Sequence, residues 1–272
     1  VLEGLQQQAL RDALNRALLL GGLVTARMVP IVLLVPFLGG RAAPNQVKVG
    51  LALAFAVLVY PAVWVSNPTL PADPVTVGAL LVKEIGVGLM LGFVTGLVFQ
   101  AARMAGRIVD ISRGETKSMS MVPELQTQTS ATGNFLLQLF IVVFLVTGGH
   151  RIFLAALTRS FREIPPHNFA AVSANGRAVV FDIAELGTEA VTIAVLLAFP
   201  VVAAILLTNI FLALVNKSAP QINVFFLGMP LKALVGILVV LLALEPLASR
   251  FLDESVFYLE RLLELIHLVS PN

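Results

Sequence analysis

"VTIAVLLAFPVVAAILLTNIFLALV", residues 191–215, has 25 residues, no ionisable side chain, and a single proline at Pro200. A helix needs about 20 mostly apolar residues to cross the hydrocarbon core of a bilayer. Backbone N–H and C=O groups in lipid must be satisfied internally, so a spanning segment is either a helix or a strand of a closed barrel. The stretch lacks the two-residue alternation of a barrel strand. Helix is therefore the reading, and this run sets the fold class for the rest of the chain.

Working outward, six apolar blocks appear: Ala17–Leu38, Val49–Val65, Val75–Phe99, Phe135–Leu157, Ile183–Val215 and Val224–Leu244. Of the 272 residues 58% are hydrophobic and 12% charged, against about 25% charged in a typical soluble domain. The expectation is an all-α, polytopic membrane protein. Pro30, Pro36, Pro61, Pro200 and Pro230 fall inside the blocks or at their ends. Each removes a backbone donor and favours a kink or break. Arg27, Lys83, Glu84, Glu185, Glu189 and Lys232 intrude on the blocks. A charge at the bilayer centre costs about 2.5–3.5 kcal/mol on insertion scales, so these groups should face protein or water. Lys and Arg divide almost evenly between the two sides of a six-span layout, which assigns no orientation. The N-terminal apolar run is longer than the core of a signal peptide, so it is kept in the mature chain.

Composition also excludes. Cysteine is absent, which removes disulfides, thiolate metal sites and redox motifs. His150, His167 and His267 are far apart and form no metal-ligand spacing. No phosphate loop or nucleophile motif is present. The expectation is a non-enzymatic protein with no cofactor and no metal. A net charge of +2 without a long basic run gives no nucleic-acid surface. A secondary transporter with buried Glu and Lys remains as an alternative, although no internal repeat of two matching halves is evident.

Three local patterns carry more. "GVGLMLGFVTGLVFQAARMAG", residues 86–106, places Gly88, Gly92 and Gly96 at four-residue steps, with Ala102 and Gly106 again four apart. Such a stripe permits close backbone approach and predicts a tight helix–helix seam, within the chain or between subunits. In "FLDESVFYLERLLELIHLV", Leu252, Val256, Leu259, Leu263 and Ile266 are expected on one amphipathic face. Its polar side is acidic, which suits a protein better than an anionic lipid surface. Glu185 and Glu189 lie one helical turn apart. If both were ionised they would repel, so proton uptake, a cation partner or solvent exposure is expected there.

From Asn216 the chain reads "NKSAPQINVFFLGMPLKALVGILVVLL". Ala219, Pro220, Gln221, Asn223 and Phe225, then Gly228, Pro230 and Lys232, resemble the signature of the FliR/SctT (SpaR, YscT, HrcT) family, the R or T subunit of the type III secretion export apparatus. "GRIVDISRG" followed by "VPELQTQTSATGNFL" is similar to the family's central loop. "FLVTGGHRIFLAALTRSFREIPP" resembles its GGH segment through Gly149, His150, Ser160, Phe161 and Pro165. The early "ARMVPIVLLVPFLGGRAAPNQVKVGLALA" fits the same order of blocks.

The resemblance implies helical hairpins like a P-type subunit fused to a Q-type one: a P-like half at 1–182 and a Q-like half at 183–272 ending in the amphipathic helix. It implies assembly with P-type (FliP/SctR-like) and Q-type (FliQ/SctS-like) subunits in the bacterial inner membrane, with part raised to the periplasmic side. Contacts with the U-type switch subunit (FlhB/SctU-like), inner rod or adaptor proteins, unfolded substrates and membrane lipid also follow. "GGHRIFLAALTRSF" and "VFFLGMPLK" lean towards injectisome rather than flagellar use.

The resemblance further implies that the loop at 110–134, "DISRGETKSMSMVPELQTQTSATGN", enters the lumen as a plug. Its candidate residues are Arg113, Gly114, Ser118, Met119, Ser120, Met121, Val122, Pro123 and Gln126. Met119 and Met121 are unbranched and able to fill an irregular constriction. Gly114 gives backbone freedom and Pro123 limits it. Asp110, Arg113, Glu115 and Lys117 are expected to pair locally at the loop's base, although exposed pairs contribute only about 0–1 kcal/mol. Packing and assembly are expected from Gly88, Gly92, Gly96, Gly106, Pro220, Gln221, Asn223, Pro230 and Lys232. Glu185 and Glu189 are left as intramembrane charges of open role.

Overall fold

Helix is the sole regular structure among the described residues, as the apolar runs require. The structure, a computed structural model, describes residues 2–40, 43–66, 71, 73–114, 130–168, 176–221 and 223–269. Its helices are α1 (Leu2–Leu34), α2 (Asn45–Ser66), α3 (Pro74–Arg113), α4 (Ala131–Val146), α5 (Gly149–Glu163), α6 (Gly176–Ser218), α7 (Val224–Leu242) and α8 (Leu244–Val269), with a 3₁₀ turn at Pro36–Leu38. Five of them, α1 (from Leu10), α2, α3, α6 and α7, are long and apolar enough to cross a membrane. The pair α4 and α5 makes a sixth if it counts as one broken span.

The prolines are accommodated in two ways. Pro30, Pro61, Pro200 and Pro230 all sit inside helices that continue through them. Only Pro36 coincides with an interruption, at the first position of the 3₁₀ turn, where its missing N–H is no loss. The sharper break falls inside the fourth apolar block, at Thr147–Gly148, where Gly148 adopts φ +84°. A left-handed φ costs glycine little and other residues more, so this glycine ends α4 and starts α5.

Contacts group the chain into two units. The first comprises Val1–Gly96, Gly148–Glu185 and Phe257–Asn272. Here the glycine stripe of α3 meets α1. A side chain on Gly88 would run into the backbone carbonyl of Arg27, and one on Gly92 into the backbone around Pro30 and Ile31. Gly96 faces the carbonyl of Leu34. The predicted seam therefore lies within the chain. Helix α2 packs on α1 and buries Ala52, Ala56, Val59 and Val63. At its far end Tyr60 donates to the Ala17 carbonyl, and Arg16 lies 4.0 Å over the Trp64 ring while donating to the Trp64 carbonyl.

The second unit comprises Leu97–Thr147 and Leu186–Val256. Its core is aromatic: Phe140 stacks on Phe251 with centroids 4.3 Å apart, and Phe99 meets Phe144 and Phe251 edge-on. Gly106 of α3 abuts the backbone of Thr132 and Gly133 in α4, too close for a Cβ on either glycine. Most of α7 points outward, with only Gly228, Gly236 and Val240 buried. Large exposed side chains such as Leu207, Phe226 and Leu242 present an apolar outer surface.

Helix α8 corrects the expected amphipathic face. Val256 is 44% exposed and Leu252 and Leu263 are half-buried, whereas Phe251, Ser255, Tyr258, Leu259, Leu262, Leu265, Ile266 and Val269 are buried. The stripe is rotated by about one residue because apolar side chains ring much of this helix, so sequence offered two overlapping faces. The helix packs on its own chain.

Candidate functional site

Two polar constellations stand out, one in each unit. In the first unit the intruding charges converge. Glu84 lies one turn before Gly88 on α3, so the close approach of α1 at Gly88 brings the Arg27 guanidinium onto its carboxylate. Arg27 Nε and Nη2 donate to the two Glu84 oxygens at 2.5 and 3.0 Å, the forked geometry that suits this pair. Lys83 Nζ adds a third contact at 2.8 Å. Arg27, Glu84 and the Lys83 side chain are almost fully buried.

The same two cations terminate α5. Arg27 donates to the carbonyls of Ser160 and Ile164, and Lys83 to those of Pro165, Pro166 and Asn168. The last carbonyls of a helix lack intrahelical partners and carry partial negative charge, so a cation is their natural complement. Phe161 lies under the Arg27 guanidinium at 4.1 Å. The exposed His167 imidazole, next in the same connection, is held below its ordinary pKa by partial desolvation and then by the Lys83 ammonium. Sequence flagged all three charges as intruders. Nothing in it signalled that residues 27, 84 and 160–168 would meet.

In the second unit the structure defines the two ends of the polar connection at 110–134. Asp110, 4% exposed near the end of α3, accepts from Arg113 Nη2 at 2.5 Å, from Ser130 Oγ at 2.6 Å and from the Thr132 N–H at 3.1 Å. Arg113 Nη2 also donates to Thr132 Oγ1 at 2.8 Å. Ser130 caps α4 by accepting from the Gly133 N–H, as short hydroxyl residues do at helix N-termini. One carboxylate thus serves as an acceptor for the last turn of one helix and the first turn of the next. Of the four charges expected to pair at the loop's base, Asp110 and Arg113 do so and are largely buried rather than solvent-exposed, while Glu115 and Lys117 lie outside the described residues. Ser130, Thr132 and Gly133 escaped sequence reasoning because polar residues in a polar stretch carry no periodic signal.

The candidate plug residues divide accordingly. Arg113 and Gly114 belong to this clasp or follow it directly, whereas Ser118, Met119, Ser120, Met121, Val122, Pro123 and Gln126 lie outside the described residues. Arg113 and Gly114 also line a cleft of about 920 Å³ together with Pro220, Gln221, Asn223 and Lys232. Six positions singled out from two distant motifs therefore share one surface. Pro230 is exposed and sits inside α7. Gly88, Gly92 and Gly96 serve the α1 seam, and Gly106 the α4 seam. Glu185 is exposed and Glu189 half-buried on α6.

Comparison with known proteins agrees along most of the chain. The family described as bacterial export proteins, family 1, matches residues 18–256. The Yop proteins translocation protein T of Yersinia pestis is 34% identical over 237 residues, covering 85% of this chain and 88% of that protein. The surface presentation of antigens protein SpaR of Salmonella typhimurium is 30% identical over 221 residues, 81% of each chain. The flagellar biosynthetic protein FliR of Caulobacter vibrioides is 27% identical over 237 residues, 85% of this chain and 90% of its own.

Proposed function

The chain belongs to family 1 of the bacterial export proteins, the FliR/SctT family, and from that membership we propose that it forms part of the protein-conducting conduit of a type III secretion export apparatus. It is a multi-pass membrane protein, here placed in the bacterial inner membrane with part raised to the periplasmic side. Its partners in this reading are P-type and Q-type subunits, with the U-type switch subunit and inner rod or adaptor proteins nearby. Unfolded secretion substrates pass along it. Residues 1–182 supply the P-like half and 183–272 the Q-like half. No reaction, cofactor or metal enters this role.

Closure is assigned to the connection at 110–134. The supporting observation is the Asp110 clasp, which joins the end of α3 to the start of α4 through Arg113, Ser130 and Thr132. A removable stopper has to leave and re-enter a rigid frame at fixed points, and a buried carboxylate shared by two helix ends supplies them. Met119, Met121 and Val122 are assigned to the constriction itself, because an apolar ring gates by excluding water. Deleting Ser118–Val122 is expected to raise ion conductance of the purified, reconstituted assembly while leaving association with P- and Q-type subunits intact. Unchanged conductance would remove the plug from this proposal.

A further inference from the structure

The cleft beside the clasp has a chemistry of its own. It opens where α3 ends, α6 approaches its end and α7 begins, and each of those helices is long and apolar enough to span a membrane. The apolar run of α6 ends at Val215 and that of α7 begins at Val224, so the cleft lies at one end of two candidate spans. Two cations line the cleft. Arg113 is committed, with Nη2 bound to Asp110 and Thr132 and its stem pressed against Gly236. Lys232, on the third turn of α7, is half-buried and has no hydrogen-bond or ion-pair partner among the described residues.

Around Lys232 the wall is rich in carboxamides: Asn209, Asn216, Gln221 and Asn223. Asn223 stands at the N-cap of α7 without a side-chain capping bond, so first-turn N–H groups are left to other acceptors. A half-buried ammonium, several amide donors and the positive end of a helix all favour a group carrying negative charge and many acceptor oxygens. Among the described residues, Asp110, which directly precedes the cleft-lining segment, is already used by Arg113, Ser130 and Thr132. A cleft of about 920 Å³ is also much larger than one carboxylate needs. The aromatic side chain of Phe225, which lines it, is exposed, which supplies an apolar flank.

We propose that this cleft binds the phosphate of an anionic phospholipid headgroup, with Lys232 as the ionic contact, Asn216 and Gln221 as hydrogen-bonding neighbours, and Phe225 against the acyl chains. Basic pockets between membrane helices recognise such headgroups by this combination of charge and donors. The site stands whether or not the 110–134 connection acts as a plug.

The test is native mass spectrometry of the full chain in detergent with added phosphatidylglycerol or phosphatidylcholine at equal concentration. Phosphatidylglycerol should be retained roughly fivefold over phosphatidylcholine, the worth of one lysine at an anionic surface. Lys232→Gln should bring the two lipids to parity, while Lys232→Arg keeps the preference. Lys217→Gln, which alters an exposed lysine outside the cleft, should leave the preference unchanged. Inorganic phosphate should displace the lipid better than chloride at matched ionic strength. If Lys232→Gln does not yield folded protein, Asn216→Ala serves as the second variant and should weaken retention of phosphatidylglycerol. Equal retention of both lipids by the unaltered protein overturns the site, and so does a preference that survives Lys232→Gln or a phosphatidylglycerol adduct unaffected by Asn216→Ala. Lys232-dependent binding of inorganic phosphate without any lipid preference assigns the cleft to a free anion and overturns it too. Loss of partner-subunit association in Lys232→Gln with an unchanged lipid adduct assigns Lys232 to a protein carboxylate and overturns it likewise.

Discussion

Glu84 in the first unit faces two cations, whereas Asp110 in the second faces one cation and two neutral donors. The Glu84 cluster joins three places far apart in the chain: α1, α3 and the connection after α5. The Asp110 cluster joins two helix ends separated by a single connection. One is a condition for the unit to assemble; the other sets where a local segment begins and ends. The difference shows that burying a charge does not by itself say what the charge is for. Its partners, and the chain distance they bridge, decide that.

Substitutions can break or sharpen this contrast. Glu84→Gln leaves Arg27 and Lys83 buried without a counter-charge, and breaking a buried ion pair from one side costs about 3–5 kcal/mol. Thermal unfolding of the purified protein in detergent should show the largest loss of this set. Gly106→Val pushes a side chain into the Thr132–Gly133 backbone, and overpacking of that kind costs about 1–3 kcal/mol. Asp110→Asn keeps one good acceptor but loses the ionic contact to Arg113, for about 1–2 kcal/mol. A loss for Asp110→Asn equal to that of Glu84→Gln would collapse the distinction between the two clusters. Arg159→Ala removes an exposed pair with Glu163, four residues on along α5, and should change stability by less than about 0.5 kcal/mol.

Much of the helix layout could be read from composition, because lipid leaves the backbone few choices. Runs such as 191–215 cannot be anything but helix, and the four-residue glycine spacing at 88–96 announces a seam. The partner of that seam could not be read: α1 shows no matching glycine register, and it meets Gly88 through its backbone at Arg27. Pairing is equally invisible for Arg27 and Glu84, which are 57 residues apart. The rotated face of α8 has a different cause. Leu252 and Val256 are as apolar as Phe251 and Tyr258, so the choice between faces belonged to the surroundings. In the cleft, Lys232 and Gln221 were visible as motif residues, but their neighbour Asn209 sits unmarked in the middle of an apolar run.

Biogenesis has to respect the Arg27–Glu84–Lys83 cluster as well. As α1 leaves the ribosome it carries an arginine whose counter-charge arrives 57 residues later, and insertion scales put a lone arginine at mid-membrane near 2.5–3.5 kcal/mol uphill. Lys83 waits longer still, until the carbonyls of Pro165, Pro166 and Asn168 have been synthesised. Helices α1 and α3 therefore gain by leaving the insertion machinery as a set, retained near it until α5 has been translated. A nascent chain stalled before Asn168 would hold both cations against Glu84 with part of their carbonyl acceptors still missing.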